Sequence, residues 1–346
     1  VSSAAVSFAL GSNPRKVSPA TRERIARVAR EMGYQPNPFL SAWQTHVRSR
    51  RPVHVQAALA WINDHPESDW WNPSNYQYAI KAGADQRAAE LGYRIDEVWL
   101  PDAEEAQPEV YVEKCLTVLR ARGIFGVLLP HLAKKARTAV DWKDRAVVVV
   151  GKTERLRFHF RDGVHHLDAQ HPEIYHWINT DYFHNTSVAY RKLTEIGYRR
   201  IGLAISTMLD MESDEQISCA FLNESKHVPP AQRVPILKFV HGQMSTELKI
   251  WIRKHQPDVI LATESYVKAA LDPLGLRVPE EIGLAHMDVK FDVADWSGID
   301  RHSAVIGAAA VDLLTSSMQR NEVGVPLHPM EVLIKGKWVQ GRTTRG

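Results

Sequence analysis

The sequence predicts an α/β protein: two Rossmann-like subdomains preceded by a short, basic, all-α segment. Three observations predict it. The first 51 residues carry nine Lys/Arg against two acids, a formal charge of +7 in a chain whose total is +3, so the remaining residues sum to −4. From about residue 53 apolar runs of strand length alternate with stretches of helical periodicity, the mark of a parallel α/β sheet. The number of these runs exceeds what one doubly wound domain holds, and 346 residues suffice for two compact units and a small headpiece.

Composition excludes several classes. With 44% apolar and 24% charged residues the chain is an ordinary globular one. No run of about 18 apolar residues could span a bilayer, and the start, VSSAAVSFAL, has neither the basic leader nor the apolar centre of an export signal. Cys115 and Cys219, far apart, give no disulfide or metal framework, which fits a reducing cytoplasm.

In order, residues 1–10 place Ala5, Val6, Ala9 and Leu10 at helical spacing, and Gly11-Ser12-Asn13-Pro14 breaks the pattern. Ser18-Pro19 reads as an N-cap with proline at the first helical position. Ile25, Val28, Ala29 and Met32 follow as one face, with Gly33 as the stop. Arg22, Arg24, Arg27 and Arg30 spread over the other side, where a solvated helix face is the bland reading. A second short helix is expected over 38–50. In the body, strands are expected at 53–62, 94–100, 126–129, 146–150, 175–180, 201–205, 236–240, 259–262, 283–286 and 331–335. Helices are expected at 74–91, 110–122, 183–196, 215–223, 245–255, 266–274 and 304–319, with a polar, His-rich loop between 150 and 175.

Three spaced motifs in the basic segment carry a resemblance. They are V-S-x-x-x-V-S at Val1-Ser2 to Val6-Ser7, V-S-x-x-T-R-E at Val17-Ser18 to Thr21-Arg22-Glu23, and G-Y-x-P-N at Gly33-Tyr34 to Pro36-Asn37. The segment strongly resembles the headpiece of the lactose-repressor (LacI/GalR) family of bacterial transcription regulators. In the body, Gly197-Tyr-Arg-Arg-Ile201-Gly and Leu276-Arg-Val-Pro279-Glu-Glu-Ile282-Gly match family stretches, so the resemblance spans the chain. It implies a helix-turn-helix headpiece over 1–37 and a hinge helix or linker over 38–52. Beyond them it implies a periplasmic-binding-protein-like core, with an N-terminal subdomain of 53–180 plus 301–326 and a C-terminal one of 181–300 plus 327–346. The crossings are expected near Asp181, Asp300 and Pro326.

The resemblance also assigns residues. Residues 1–10 become the recognition helix in the major groove. Ser2, Ser7, Thr21, Arg22 and Asn37 match positions that grip phosphates or fix the headpiece. Ser3, Ala4 and Phe8 match the base-reading positions, where only Ser3 can hydrogen-bond a base edge. Arg15 and Lys16 join the DNA-contacting set. In the hinge Leu40 stands where an alanine is usual and Trp43 at the family's leucine wedge, a departure that would put an indole in place of leucine at the minor-groove step. The family carries another helix ahead of Val1, so residues upstream of Val1 are expected in the native chain, and without them DNA binding should be poor.

For the effector cleft the resemblance points to Asp288 for ligand hydroxyls, Thr263 and Glu264 where Asn-Asp is common, and Arg301 at a crossing. Asn63, Asp64, Trp70 and Trp71 lie in the loop after the first strand, and Trp296 is a further stacking candidate. Trp70 and Trp71 equally suit a structural or interface role. The family's sugar-gripping arginine falls around Ile217, where no arginine stands. The expected partners are operator DNA, a carbohydrate-like ligand and a second copy of the chain, with no cofactor and no membrane. The function so read is a ligand-switched, sequence-specific repressor.

Two other classes remain in view. A solute-binding protein of the same core would need an export signal and no basic headpiece. An enzyme would need a motif that is missing: there is no G-x-G-x-x-G, P-loop, G-x-S-x-G or H-E-x-x-H. His159, His165, His166, His171 and His176 lack the cysteine or carboxylate partners of a metal centre and read as a loop or inter-subunit surface.

Overall fold

In a computed structural model of the chain, the described residues are 17–31, 57–65, 76–100, 107–130, 133, 136, 139–151, 158–161, 164–167, 175–240, 244–289, 293 and 295–346. Ser2, Ser3, Ala4, Ser7, Phe8, Arg15, Lys16, Asn37, Leu40, Trp43, Trp70 and Trp71 lie outside them. From the headpiece they include α1, Pro19–Glu31. Ser18 caps it as expected: the Thr21 amide donates to Ser18 Oγ at 3.4 Å, and Thr21 Oγ1 lies 2.9 Å from the same oxygen. Ile25 is buried, whereas Val28 of the expected apolar face is exposed.

The body is built on two six-stranded sheets. The first half contributes β1 (Ala57–Asn63), α2 (Tyr76–Glu90), β2 (Tyr93–Trp99), α3 (Pro108–Ala121), β3 (Gly126–Pro130), β4 (Ala146–Val150), the hairpin β5 (Phe158–Arg161) and β6 (Val164–Leu167), and β7 (His176–Thr180). The chain then crosses. The second half has α4 (Tyr182–Ile196), β8 (Ile201–Ser206), α5 (Thr207–Glu212), α6 (Gln216–Ser225), β9 (Leu237–Phe239), α7 (Met244–His255), β10 (Val259–Ala262), α8 (Val267–Leu271), β11 (Gly283–His286) and β12 (Ser297–Asp300). It crosses back into α9 (Ser303–Gln319) and β13 (Glu331–Ile334), and ends in β14 (Lys337–Val339).

One sheet runs β13-β7-β4-β3-β1-β2 and the other β14-β12-β11-β10-β8-β9. Every neighbouring pair is parallel except β12–β14. The central strands are wholly buried: β3 reads GVLLP, β4 AVVVV and β8 IGLAIS. Such continuous apolar runs belong to strands covered on both faces. In the first half Tyr111, Leu119 and Trp142 line one face of the sheet. Ile80, Ala84, Ile306 and Leu314, from α2 and α9, line the other. The two helices approach closely because Gly83 lies against the Ala304 carbonyl and Gly307 against the Ile80 carbonyl, where a Cβ would collide.

Four expectations are corrected. The expected His-rich loop contains a hairpin: β5 and β6 pair antiparallel, with His159 opposite His166 and Arg161 opposite Val164. The third crossing falls after Ile334, not near Pro326, because β13 pairs with β7 of the first sheet. Short strands β12 and β14 and helix α5 were not anticipated. The expected helix over 266–274 is α8 followed by a separate 3-10 turn, Asp272–Leu274, with proline in its first turn. Among the described residues no helix is long and apolar enough to cross a membrane. Nor do the described residues include a group of three or more His, Cys, Asp or Glu placed to hold a metal ion.

Candidate ligand cleft between the two halves

In a parallel sheet the carboxyl ends of the strands face the crevice where ligands bind. In the second half those ends carry the polar residues: Ser206 closes β8, Thr263 and Glu264 follow β10, Asp288 lies just beyond β11, and Arg301 follows β12. Ser206 and Thr263 stand where the buried apolar runs of β8 and β10 end, whereas Asp288 lies two residues past β11 and Arg301 directly after the buried strand β12.

Arg301 is the centre of this arrangement. Its side chain is 10% exposed, and Nη1 lies 3.3 Å from Asp288 Oδ2. The guanidinium carbon lies 5.1 Å from the ring centroid of Tyr76, the first residue of α2, and 5.4 Å from that of Tyr182, the first residue of α4. One cation is thus held between aromatic rings from the two halves, within the range at which a ring quadrupole attracts it. Burial by itself would favour the neutral guanidine. Tyr182, Asp288 and Tyr76 outweigh that and hold the Arg301 value above its ordinary one.

The second half orients its groups by local bonds. The Asp288 amide donates to His286 Nδ1 at 3.0 Å, fixing the turn after β11. Ser206 Oγ caps α5 by accepting from the Leu209 amide and donates to Glu264 Oε1 at 3.0 Å. Burial, aided by Glu264, pushes the Tyr266 hydroxyl up to about 12. Behind these lies a buried carboxylate, Asp210, that accepts from Ser218 Oγ at 2.7 Å and pairs with Lys238 at 2.7 Å. Thr263 Oγ1, Asp288 Oδ1 and Arg301 Nε are among the buried polar atoms here that have no hydrogen-bond partner. Orphaned atoms of this kind are rare in native proteins and call for a ligand or solvent to complete them.

The residues singled out in the sequence divide accordingly. Asp288 and Arg301 meet, and Thr263 and Glu264 stand on the same row of strand ends. Asn63 and Asp64 are bound within the first half instead. Asn63 Nδ2 donates to Glu97 Oε1 at 2.6 Å, and the Tyr111 hydroxyl and the Ala136 amide both donate to Asp64. Trp296 is corrected to a core residue. It is 7% exposed, edge-on to His286 with centroids 5.8 Å apart, and lies beneath the Lys268 ammonium. Ile217, at the position of the family's arginine, is buried in the core. Tyr76 and Tyr182 were missed. The signal for Tyr182 was its place directly after Asp181, whose carboxylate caps α4 by accepting from the His184 amide at 2.8 Å.

Two α/β halves joined by three crossings present their polar strand ends to a shared cleft. The comparisons with known proteins agree. The model of the bacterial regulatory proteins of the lacI family matches residues 1–37. No relative was found among curated protein sequences. Among solved structures the chain is similar to a transcriptional regulator CelR–cellobiose complex, with TM-score 0.56, 15% identity, and 99% of this chain and 96% of that one covered. It is similar also to the Lac repressor dimer bound to operator and the anti-inducer ONPF, with TM-score 0.55, 15% identity, and coverage of 100% and 96%. A third is a periplasmic binding protein/LacI transcriptional regulator from Alkaliphilus metalliredigens QYMF complexed with D-xylulofuranose, with TM-score 0.55, 15% identity, and coverage of 84% and 100%. At these identities the likeness shows the fold.

Proposed function

We propose that the chain is a DNA-binding transcription repressor whose operator affinity is switched by a small polyhydroxylated ligand held between its halves. The observation that carries the reading is the union of a headpiece matched over residues 1–37 with a cleft that leaves polar atoms of Thr263, Asp288 and Arg301 unpaired. A basic headpiece supplies the sequence-independent attraction to phosphates. The body, at −4, does not share that attraction.

Cleft chemistry supports the ligand class. A carboxylate oxygen of Asp288 accepts from a hydroxyl, Arg301 Nε donates to a ring, hydroxyl or carboxyl oxygen, and Thr263 Oγ1 does either. The relatives solved with cellobiose and D-xylulofuranose support a sugar or sugar derivative. In this reading the first subdomain comprises 53–180 with α9 and β13, and the second 181–300 with β14. The active species is a homodimer, because paired half-sites demand a two-fold protein. Ligand binding changes the angle between the halves and with it the spacing of the two headpieces. A ligand favouring one state by about 10²-fold shifts the equilibrium by roughly 2.7 kcal/mol, enough to release DNA.

A thermal-shift panel of neutral sugars and sugar acids tests the ligand half of the reading, since a compound that binds the native state raises its melting temperature. The expected result is a hit that Asp288→Ala abolishes. A hit that survives Asp288→Ala places the ligand elsewhere and overturns this cleft assignment.

A further inference from the structure

We propose that Asn185 is the positioning residue of the hinge, the side chain that makes the crossings between the halves move as one unit. Asn185 lies in the first turn of α4 and is 1% exposed. Its Nδ2 donates to Thr180 Oγ1 at 3.0 Å, on the crossing that leaves the first half. Its Oδ1 accepts from the Gly336 amide at 2.7 Å, on the crossing that runs from β13 to β14. The orientation of the amide is fixed, because a backbone N–H can only donate. These two crossings are also joined directly, the Asp181 amide donating to the Ile334 carbonyl at 3.0 Å.

The remaining crossing is reached through Gly336. A Cβ there would lie 2.7 Å from the Asp300 carbonyl oxygen, 2.8 Å from Ile299 Cγ2 and 3.0 Å from Asn185 Oδ1. The absence of a side chain lets the third crossing lie flat on the second while its amide reaches Asn185. Asp300 leads directly into Arg301, so the crossing beneath Gly336 is the one that presents the cleft guanidinium. All three crossings are therefore in contact around one buried amide.

A rotation of one half against the other is absorbed by φ/ψ changes in a few such residues. Independent crossings would allow each half to twist and slide as well as rotate. Tied ones leave a single well-defined axis, because any change in the separation of Thr180 and Gly336 breaks a buried hydrogen bond. This holds whatever ligand the cleft takes and does not depend on DNA binding.

The test reads the distribution of distances between the halves. Spin labels are placed at Glu109→Cys in the first half and Lys226→Cys in the second, both exposed positions, in a Cys219→Ser background that leaves Cys115 buried. Labelled protein is diluted into unlabelled protein so that distances are read within one chain. The intact hinge gives one narrow distribution, and Asn185→Ala broadens it by about twofold or more. Thr180→Val, which keeps the shape and loses one bond, broadens it less, and carries the test if Asn185→Ala does not fold. Thr315→Val removes a buried hydroxyl that bonds within α9, so it lowers stability without widening the distribution. An unchanged width in Asn185→Ala, or in Thr180→Val where that variant carries the test, overturns the proposal. So does equal broadening by Thr315→Val.

Discussion

Replacing Arg301 by Met tests whether the two halves meet through one shared cation. The substitution keeps an unbranched apolar stem between Tyr76 and Tyr182 but removes the charge 3.3 Å from Asp288. Breaking a fully buried ion pair from one side costs about 3–5 kcal/mol, because the other charge is stranded. Here the side chains are 10% and 15% exposed, so partial solvation brings the cost to or just below the bottom of that range, about 2–3 kcal/mol. Two cation–π contacts add roughly 1 kcal/mol each, and sulfur–aromatic contact returns part of that. Arg301→Met should therefore lose about 3 kcal/mol, read by calorimetry or urea unfolding. Asp288→Asn alone should cost less, since the remaining guanidinium keeps its rings. In the double variant no charge is stranded, so its loss should fall short of the summed single losses by more than about 1 kcal/mol. Single losses that add to within about 0.5 kcal/mol would show that the two groups do not act as a pair.

Other expectations follow from the same packing. Burial pushes the Cys115 thiol up to about 12, whereas Cys219 is exposed, so a thiol reagent at neutral pH should label one cysteine in the native protein and two after unfolding. Burial alone would raise Glu224, but two hydrogen bonds from the Arg191 guanidinium hold it below its ordinary value. A lowered folded value gives stability that is present above the ordinary carboxylate range and is lost as pH falls through the folded value. Glu224→Gln should therefore be less stable than the parent at pH 7 and nearly equal to it at the acid end of a calorimetric pH series. Gly307→Ala drives a Cβ into the Ile80 carbonyl of α2, where neither backbone can yield. It should cost about 2–3 kcal/mol, and a loss under about 0.5 kcal/mol in denaturant titration would contradict the close approach of α2 and α9.

The long elements were legible because their periodicity is unambiguous: α4 and α9 begin within one residue of expectation. The failures have physical reasons. β12 and β14 are four and three residues long, too short for any alternation to register. β12 also contains Gly298 at a φ of 155°, packed against the His286 carbonyl. The β5–β6 hairpin did carry a signal, Asp162-Gly163 between two short apolar-aromatic runs, which is the strongest short-range hairpin cue; the histidines drew the reading toward a loop. Of the cleft, Thr263, Asp288 and Arg301 were legible through the resemblance, whose positions fall on them, and for Thr263 also because it directly follows the apolar strand β10. The tyrosines around Arg301 were not, because their meeting depends on how the two halves face each other, which no local pattern encodes. Asn63 and Asp64 also end a strand, but Glu97 and Tyr111 stand within reach and bind them first.

In the proposed function a ligand in this cleft controls the headpiece. The most direct measurement is fluorescence anisotropy of the full-length protein on DNA from upstream of its own gene and on random DNA, from 50 to 200 mM salt. Each titration is run with and without the compound that raises the melting temperature. The expected result is tighter binding to the upstream DNA, a steep loss of affinity with salt, and a ligand response of about 10²-fold that Asp288→Ala removes while affinity without ligand stays unchanged. Equal affinity for both DNAs, or a ligand response that Asp288→Ala leaves intact, would contradict it.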